Sequence, residues 1–442
     1  KGAENIDRLN VKGALETILG MCKLMSGESG PIQIDQTAIE QQAQQLAEQG
    51  YRVLAVASGE NSNHDIHHTK PQHLTLLGLV GIIDPLRKTS CQAIQDCRKA
   101  GIQVAMLTGD HPVTALSIAR QLEMAKGPDD VASGKELVGL SAAQLDQLSL
   151  EKHVFARIEP QQKTAIVQSL QRSGHFVAVT GDGANDAPAL SSAHIGVAMG
   201  QSGTDVARET SDMIITDDDF SSIVAGIEEG RIAYANIRKV IFLLISTGAA
   251  EIVLFILSIL TGLPLPLTAV QLLWLNLVTN GIQDIALAFE PGEGNELKKP
   301  PRSPQEPIFN RIMLQRVVLS AIVMGVLAYL TFWYLISTGM EHESARNLVL
   351  LLMVLFENIH VFNSRSETQS VFRIRFFSNP LLVIGTIAAQ LIHISSMYID
   401  GLKDVLQTRP VSLKEWGVML LIALILLLAQ ELFKMAIKKP AS

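Results

Sequence analysis

The chain has 442 residues, room for two or three domains, and its formal net charge of -7 leaves no basic footprint for nucleic acid. Hydrophobic residues make up 48% and the mean hydropathy is +0.26, a mild value that averages two unlike halves. Up to about Asp219 the sequence reads as a water-soluble α/β protein, and beyond Val240 as membrane. Three cysteines, Cys22, Cys91 and Cys97, form no CxxC and no metal spacing, and read as reduced structural thiols. The sequence opens on Lys1-Gly2-Ala3 without a signal or transit signature, and is read as a fragment whose front is missing.

In chain order, residues 1–70 read as the tail of a small α/β unit, with an Ala/Gln/Glu-rich helix near 36–49 and a strand at Tyr51–Val56. The polar run Asn61–Lys70 carries His64, His67 and His68 but no partner that completes a metal site, so it reads as a solvated loop. From Leu74 short apolar runs alternate with helical stretches, predicting strands at 75–82, 103–107, 152–156, 176–180, 194–198 and 212–215. Helices are expected near 87–100, 112–122, 160–173 and 202–209. That order implies a parallel sheet with crossover helices, whose ligands bind beyond the carboxyl ends of the strands. A stalk helix is expected over 220–239, followed by six apolar segments near 240–262, 268–289, 314–338, 346–363, 380–399 and 415–435. Each is about the ~20 residues a membrane span needs. Lys298, Lys299, Arg302 and Arg311, then Arg365, Arg373 and Arg375, then Lys434, Lys438 and Lys439 fall in alternate connections, which the positive-inside rule makes cytoplasmic. The C-terminus then returns to the side of the α/β domain.

Three loops carry phosphate chemistry. Met106-Leu107-Thr108-Gly109-Asp110 ends a strand, so Thr108 and the amides after it can hold a phosphoryl oxygen. Phe155–Pro160 leads into a helix bearing Lys163, whose ammonium can neutralise phosphoryl charge. Thr180-Gly181-Asp182-Gly183-Ala184-Asn185-Asp186 sets two carboxylates four residues apart on a glycine-rich turn. Asp182 and Asp186 are candidates to hold magnesium, with Asn185 orienting a phosphate oxygen, because hard cations take oxygen ligands. Phosphoryl transfer needs little beyond positioning and charge stabilisation. In the apolar half, Glu251, Asn276, Thr279, Asn280, Asp284 and Glu357 could cage a cation. Asn276, Asn280 and Asp284, spaced by four, are expected on one helical face. Gln283 and His360 read better as inter-helix hydrogen-bonding residues.

Taken in order, Lys1-Gly2-Ala3, Asp84-Pro85-Leu86-Arg87, the Thr108-Gly109-Asp110 loop and the Thr180–Pro188 turn resemble the P-type ATPases, more narrowly the type II calcium and sodium/potassium pumps. The resemblance implies an incomplete HAD-like α/β phosphorylation domain (71–219) after the end of a nucleotide-binding domain (1–70), then an all-α bundle of six transmembrane helices (240–436). It implies ATP and Mg2+ as cofactors. Lys1 matches the family's lysine near the adenine, Asp84 and Arg87 the hinge motif, and Thr108 and Asp110 phosphate and nucleotide contacts. Lys163 matches the phosphorylation-site lysine and Asp182 the magnesium ligand. Glu251, Asn276, Thr279 and Glu357 match cation ligands.

Departures from the family are as informative. No Asp-Lys-Thr-Gly-Thr nucleophile motif and no Thr-Gly-Glu-Ser run occur; Ser26-Gly27-Glu28-Ser29 lies elsewhere and reads as a surface turn. This chain alone is expected to be unable to form the aspartyl phosphate. Gly248 stands where calcium pumps have asparagine, and Asn280 where they have an ion-bridging aspartate, while Asp284 offers a carboxylate one turn on. Calcium is favoured as the transported cation, with sodium, a single divalent ion or a coupled proton left open. The expected function is ATP-driven cation transport in a membrane, read as that of a bacterial cell. The alternatives are a membrane-anchored HAD phosphatase and a catalytically inactive regulatory fragment.

Overall fold

The computed structural model describes residues 8–60, 72–82, 86–303 and 305–438; Lys1, Asp84 and the histidines at 64, 67 and 68 lie outside them. The chain divides into two compact units, one running to Gly226 and taking in Leu297–Pro301, the other comprising Ile227–Glu296 and the chain from Arg302 onward.

The first unit opens with a five-stranded sheet. Its strands are β1 (Arg8–Gly13), β2 (Cys22–Gly27), β3 (Gly30–Gln33), β4 (Arg52–Glu60) and β5 (Leu74–Ile82), in the order β1-β4-β5-β2-β3. Helices α1 (Leu15–Leu19) and α2 (Gln36–Glu48) accompany it, and Ile18, Ile39, Ala55, Ala57, Leu74 and Leu76 form its core. Glu28 and Ser29 make the turn between β2 and β3, so that segment is a hairpin tip. One expectation needs correcting. The strand at 75–82 does not open the parallel sheet; it pairs antiparallel with β4, Arg52 opposite Ile82 and Ala55 opposite Leu79. An apolar run declares a strand, whereas its partner is chosen by non-local packing.

Two three-stranded parallel sheets follow. One is β6 (Met106–Leu107), β7 (Val131–Ser133) and β8 (Val154–Ala156) in the order β6-β8-β7; the other is β9 (Ala178–Gly181), β10 (Ile195–Met199) and β11 (Met213–Ile215) in the order β11-β10-β9. The expected helices are present as α3 (Lys88–Lys99), α4 (Pro112–Gln121), α6 (Pro160–Arg172) and α8 (Asp205–Thr210). Proline in the first turn starts α4 and α6, where its missing N–H has no partner to lose. β7, α5 (Ala142–Glu151) and α7 (Ala187–Ser192) were not anticipated. Phe155, Ile158 and Ile166 bury one layer beside β8, and Leu190, Ala198 and Ala207 another beside β10.

The second unit is helical. Among the described residues four helices are long and apolar enough to cross a membrane: α9 (Phe220–Leu260), α12 (Arg311–Ser337), α13 (His342–Ser364) and α16 (Leu413–Lys438). The expected stalk and first span form one unbroken helix, α9, since no proline interrupts residues 220–260. The segment expected at 268–289 is interrupted: α10 (Ala269–Trp274) and α11 (Gly281–Ala288) flank a π-helical turn at Leu275–Asn280. The segment expected at 380–399 stops earlier, as α14 (Pro380–Ser396), and the short α15 (Leu402–Leu406) follows. α13 is central: Leu350–Val354 and Phe356 are each 0% exposed, the all-round burial of a core helix.

Candidate functional site

The first constellation lies where strands β6, β8 and β9 end. Thr108 N–H donates to the Phe155 carbonyl (2.9 Å), Ile158 N–H to Thr108 O (3.1 Å) and Arg157 N–H to Asp110 O (2.9 Å), so the loops after β6 and β8 are stitched together. Within the first loop Thr108 Oγ1 donates to Asp110 Oδ2 at 3.2 Å and accepts from Asp110 N–H at 3.1 Å. Gly109 is exposed between them. Helix α6 then carries Lys163 to the third loop, where its Nζ donates to Asp186 Oδ1 at 2.6 Å. Asp186 Oδ2 accepts from Gly183 N–H at 3.2 Å, closing the turn. A β-carbon on Gly181 would stand 2.6 Å from Asp186 Cβ, so this turn requires glycine there.

The two candidate magnesium carboxylates are therefore unlike. Asp186 is committed to Lys163 and the Gly183 amide, and acts on the turn's geometry. Asp182 is exposed, its carbonyl fixed by Thr204 N–H at 2.8 Å, and Asn185 beside it is exposed too. Exposed hard oxygens at a strand's carboxyl end fit Mg2+, which keeps several waters and takes one or two carboxylates plus substrate phosphates. Among the described residues no three acidic, histidine or cysteine side chains converge as a ready-made metal cage.

Sequence reasoning missed two arginines here. Arg52, from β4, reaches Asp110 with Nε–Oδ1 3.8 Å. Arg157 takes a left-handed conformation (φ 50°) after β8 and pairs with Glu16 at 2.9 Å. The Glu16 carboxyl is held below its ordinary value by its own backbone amide and by Arg157. Both links join distant segments and leave no local motif to find. Arg87 donates to the Asp218 carbonyl, and Thr89 Oγ1 to Asp219 at 2.9 Å, so Arg87 is tied to the end of the α/β unit.

The second constellation surrounds the π turn. Asn276 Nδ2 donates to Glu251 Oε1 and Oε2 at 3.3 and 3.4 Å. Thr279 Oγ1 donates to Glu357 Oε2, and Asn280 Nδ2 to Thr247 Oγ1 at 3.3 Å. Asn276 is exposed while Thr279, Asn280 and Glu357 are 0% exposed. A π turn shifts the register that an unbroken α-helix would keep, and such turns recur at functional sites. The buried oxygens Asn280 Oδ1, Gln283 Oε1, Asp284 Oδ1 and Glu357 Oε1 lack partners among the described residues. As expected, Gln283 bridges helices, its Nε2 2.6 Å from Asn358 Oδ1, and His360 Nε2 stands 2.6 Å from Ser246 Oγ.

An α/β unit with three loops gathered at its strand ends, joined in one chain to membrane-capable helices with buried carboxylates, defines a membrane protein of HAD-like architecture. Residues 264–436 match the family profile described as cation transporting ATPase, C-terminus, and residues 27–194 and 163–227 match haloacid dehalogenase-like hydrolase profiles. Calcium-transporting ATPase 1 of Bacillus cereus is 35% identical across 97% of this chain and 50% of its own length. Probable cation-transporting ATPase F of Mycobacterium tuberculosis is 36% identical, over 92% of this chain and 46% of its own length. Calcium-transporting ATPase type 2C member 1 of Pongo abelii is 36% identical, over 91% and 43%. Over nearly its whole length the chain is thus similar to P-type cation-transporting ATPases, calcium pumps among them. It spans about half the length of the curated relatives it matches (50% for the Bacillus cereus protein).

Proposed function

We propose that this chain is the part of an ATP-driven cation pump that holds most of the phosphorylation domain and six membrane spans. The spans are α9, the α10–π–α11 run, α12, α13, α14 and α16, with the α/β domain cytoplasmic, as the basic loops indicate. In domain terms, the end of the nucleotide-binding domain runs through residue 82, since β5 pairs with β4 and β2; residues 86–219 belong to the phosphorylation domain, 220–239 to the stalk and 240–436 to the transport domain. In the complete pump the attacking aspartate comes from outside this sequence, which has no Asp-Lys-Thr-Gly-Thr run.

In that pump Thr108, Gly109 and Asp110 orient the phosphoryl group, and Lys163 offsets its charge while Asp186 fixes the ammonium. Asp182 would hold Mg2+, which supplies charge stabilisation to the phosphoryl oxygens, and Asn185 aligns one of them. Lys1, Asp84 and Arg87 serve the nucleotide side, Arg87 by holding the hinge. Glu251, Asn276, Thr279, Asn280, Asp284 and Glu357 carry the cation, with calcium favoured by the names of the relatives.

The observation that carries the reading is Glu357. It is wholly buried and accepts from Thr279, and its other oxygen has no partner among the described residues. A span that merely anchored a phosphatase would gain nothing from an ionisable group there. The test is Glu251→Gln in the complete pump. Ion affinity should drop while back-phosphorylation by inorganic phosphate survives; unaltered ion dependence overturns the assignment.

A further inference from the structure

The connection between α13 and α14 presents aromatic and basic side chains together. It makes two short 3-10 turns, Val371–Arg373 and Phe376–Ser378. Phe372 is 78% and Phe377 74% exposed, and Arg373 and Arg375 are exposed as well. No acidic residue occurs from Thr368 to Pro380.

The backbone beneath is held from inside. Arg365 donates to the carbonyls of Arg375 (3.4 Å) and Phe376 (3.3 Å) and to Ser378 Oγ (2.6 Å), and its own Nε pairs with Glu290 at 2.8 Å. Val371 N–H donates to Glu431 Oε1 at 3.0 Å, and Phe376 stacks on Phe362 with centroids 5.1 Å apart. The loop is thus a fixed platform whose remaining side chains face outward. It is continuous with the exposed apolar face of α14, where Leu381 and Ile384 follow.

We infer that this platform docks anionic phospholipid headgroups. Arg373 and Arg375 take the lipid phosphates, and Phe372 and Phe377 enter the boundary between headgroups and acyl chains. Three features point to lipid: uniform positive charge, aromatics at the end of two adjacent apolar helices, and continuity with the exposed apolar face of α14. The inference rests on α13 and α14 lying in a bilayer and is independent of which ion is carried.

The test is lipid retention by the complete protein, released from nanodiscs of mixed phosphatidylglycerol and phosphatidylcholine and counted by native mass spectrometry. Wild type should favour phosphatidylglycerol. R373Q/R375Q should lose that preference by roughly five-fold per arginine, R373K/R375K should keep it, and F372S/F377S should retain less of both lipids. R409Q, a change in a different connection, should behave as wild type. An unchanged preference in R373Q/R375Q, or an equal loss in R409Q, overturns the inference. Melting in phosphatidylcholine alone, expected to match wild type, separates lost docking from lost folding.

Discussion

Lys163 Nζ stands 2.6 Å from Asp186 Oδ1, joining the helix after β8 to the turn after β9. The two side chains are only 18% and 15% exposed, so neither charge is fully compensated by water. Lys163→Met removes the carboxylate's ion-pair partner and leaves it only the Gly183 amide. Phosphoenzyme formed from ATP by the complete pump should fall about 100- to 1,000-fold, the scale of losing one charge-stabilising donor. Stability should fall by about 1–3 kcal/mol. Acid-quenched labelling and thermal melts check the two separately, and near-normal phosphoenzyme would remove Lys163 from the chemistry.

In the membrane unit Thr279 Oγ1 serves two acceptors, Glu357 and the Leu275 carbonyl at 2.7 Å. Thr279→Val keeps the shape and removes the donor, so Glu357 loses its hydroxyl partner. Ion affinity should weaken about tenfold, as expected for a hydrogen bond to a charged group. Glu357→Gln, which removes the charge itself, should weaken it further. The readout is the ion concentration that suppresses back-phosphorylation by inorganic phosphate. An unchanged midpoint in both variants would exclude Glu357 from ion binding.

These two pairs differ in how visible they were beforehand. Lys163 and Asp186 stood out because each sits in a local pattern, proline-started helix or glycine-rich turn, whose chemistry is written in neighbouring residues. Helix α6 was legible for the same reason. The π turn at Leu275–Asn280 was not, since such a turn has no composition of its own and arises from packing. Strand β5 was legible as a strand but not as the partner of β4, and Arg52 beside Asp110 joins residues far apart in sequence. The short β7 left too few apolar residues for periodicity to register.

Arg365 and Glu290, 1% and 4% exposed, form a buried pair at 2.8 Å, and Asn379 Nδ2 donates to the second Glu290 oxygen at 2.8 Å. Removing one partner strands the other charge. Arg365→Ala should cost about 3–5 kcal/mol, whereas the double change R365M/E290M should recover much of the loss because it buries no charge. Detergent melting curves for the three proteins decide it; a double variant no better than the single would mean that Arg365 acts through the loop carbonyls instead.

Asp218 gives a pH-dependent prediction in the α/β unit. Its carboxylate accepts from Gln201 N–H at 2.9 Å and Ser202 N–H at 2.7 Å, while its carbonyl accepts from Arg87. The backbone amide of Gln201 first, then that of Ser202, hold the carboxyl at about 2 against an ordinary 3.8. A folded value below the unfolded one stabilises fully above the unfolded value and is lost as the pH falls through the folded one. The contribution therefore persists above about pH 4 and disappears toward pH 2, a window set by those two values. Hydrogen-exchange protection of the Gln201 and Ser202 amides, corrected for intrinsic rates, should drop across that window in wild type. Asp218→Asn should start lower at neutral pH and change little across the same range, because its amide does not titrate. Equal slopes in the two proteins would mean that the carboxylate does not anchor this turn, and that Arg87 holds the hinge through the backbone alone.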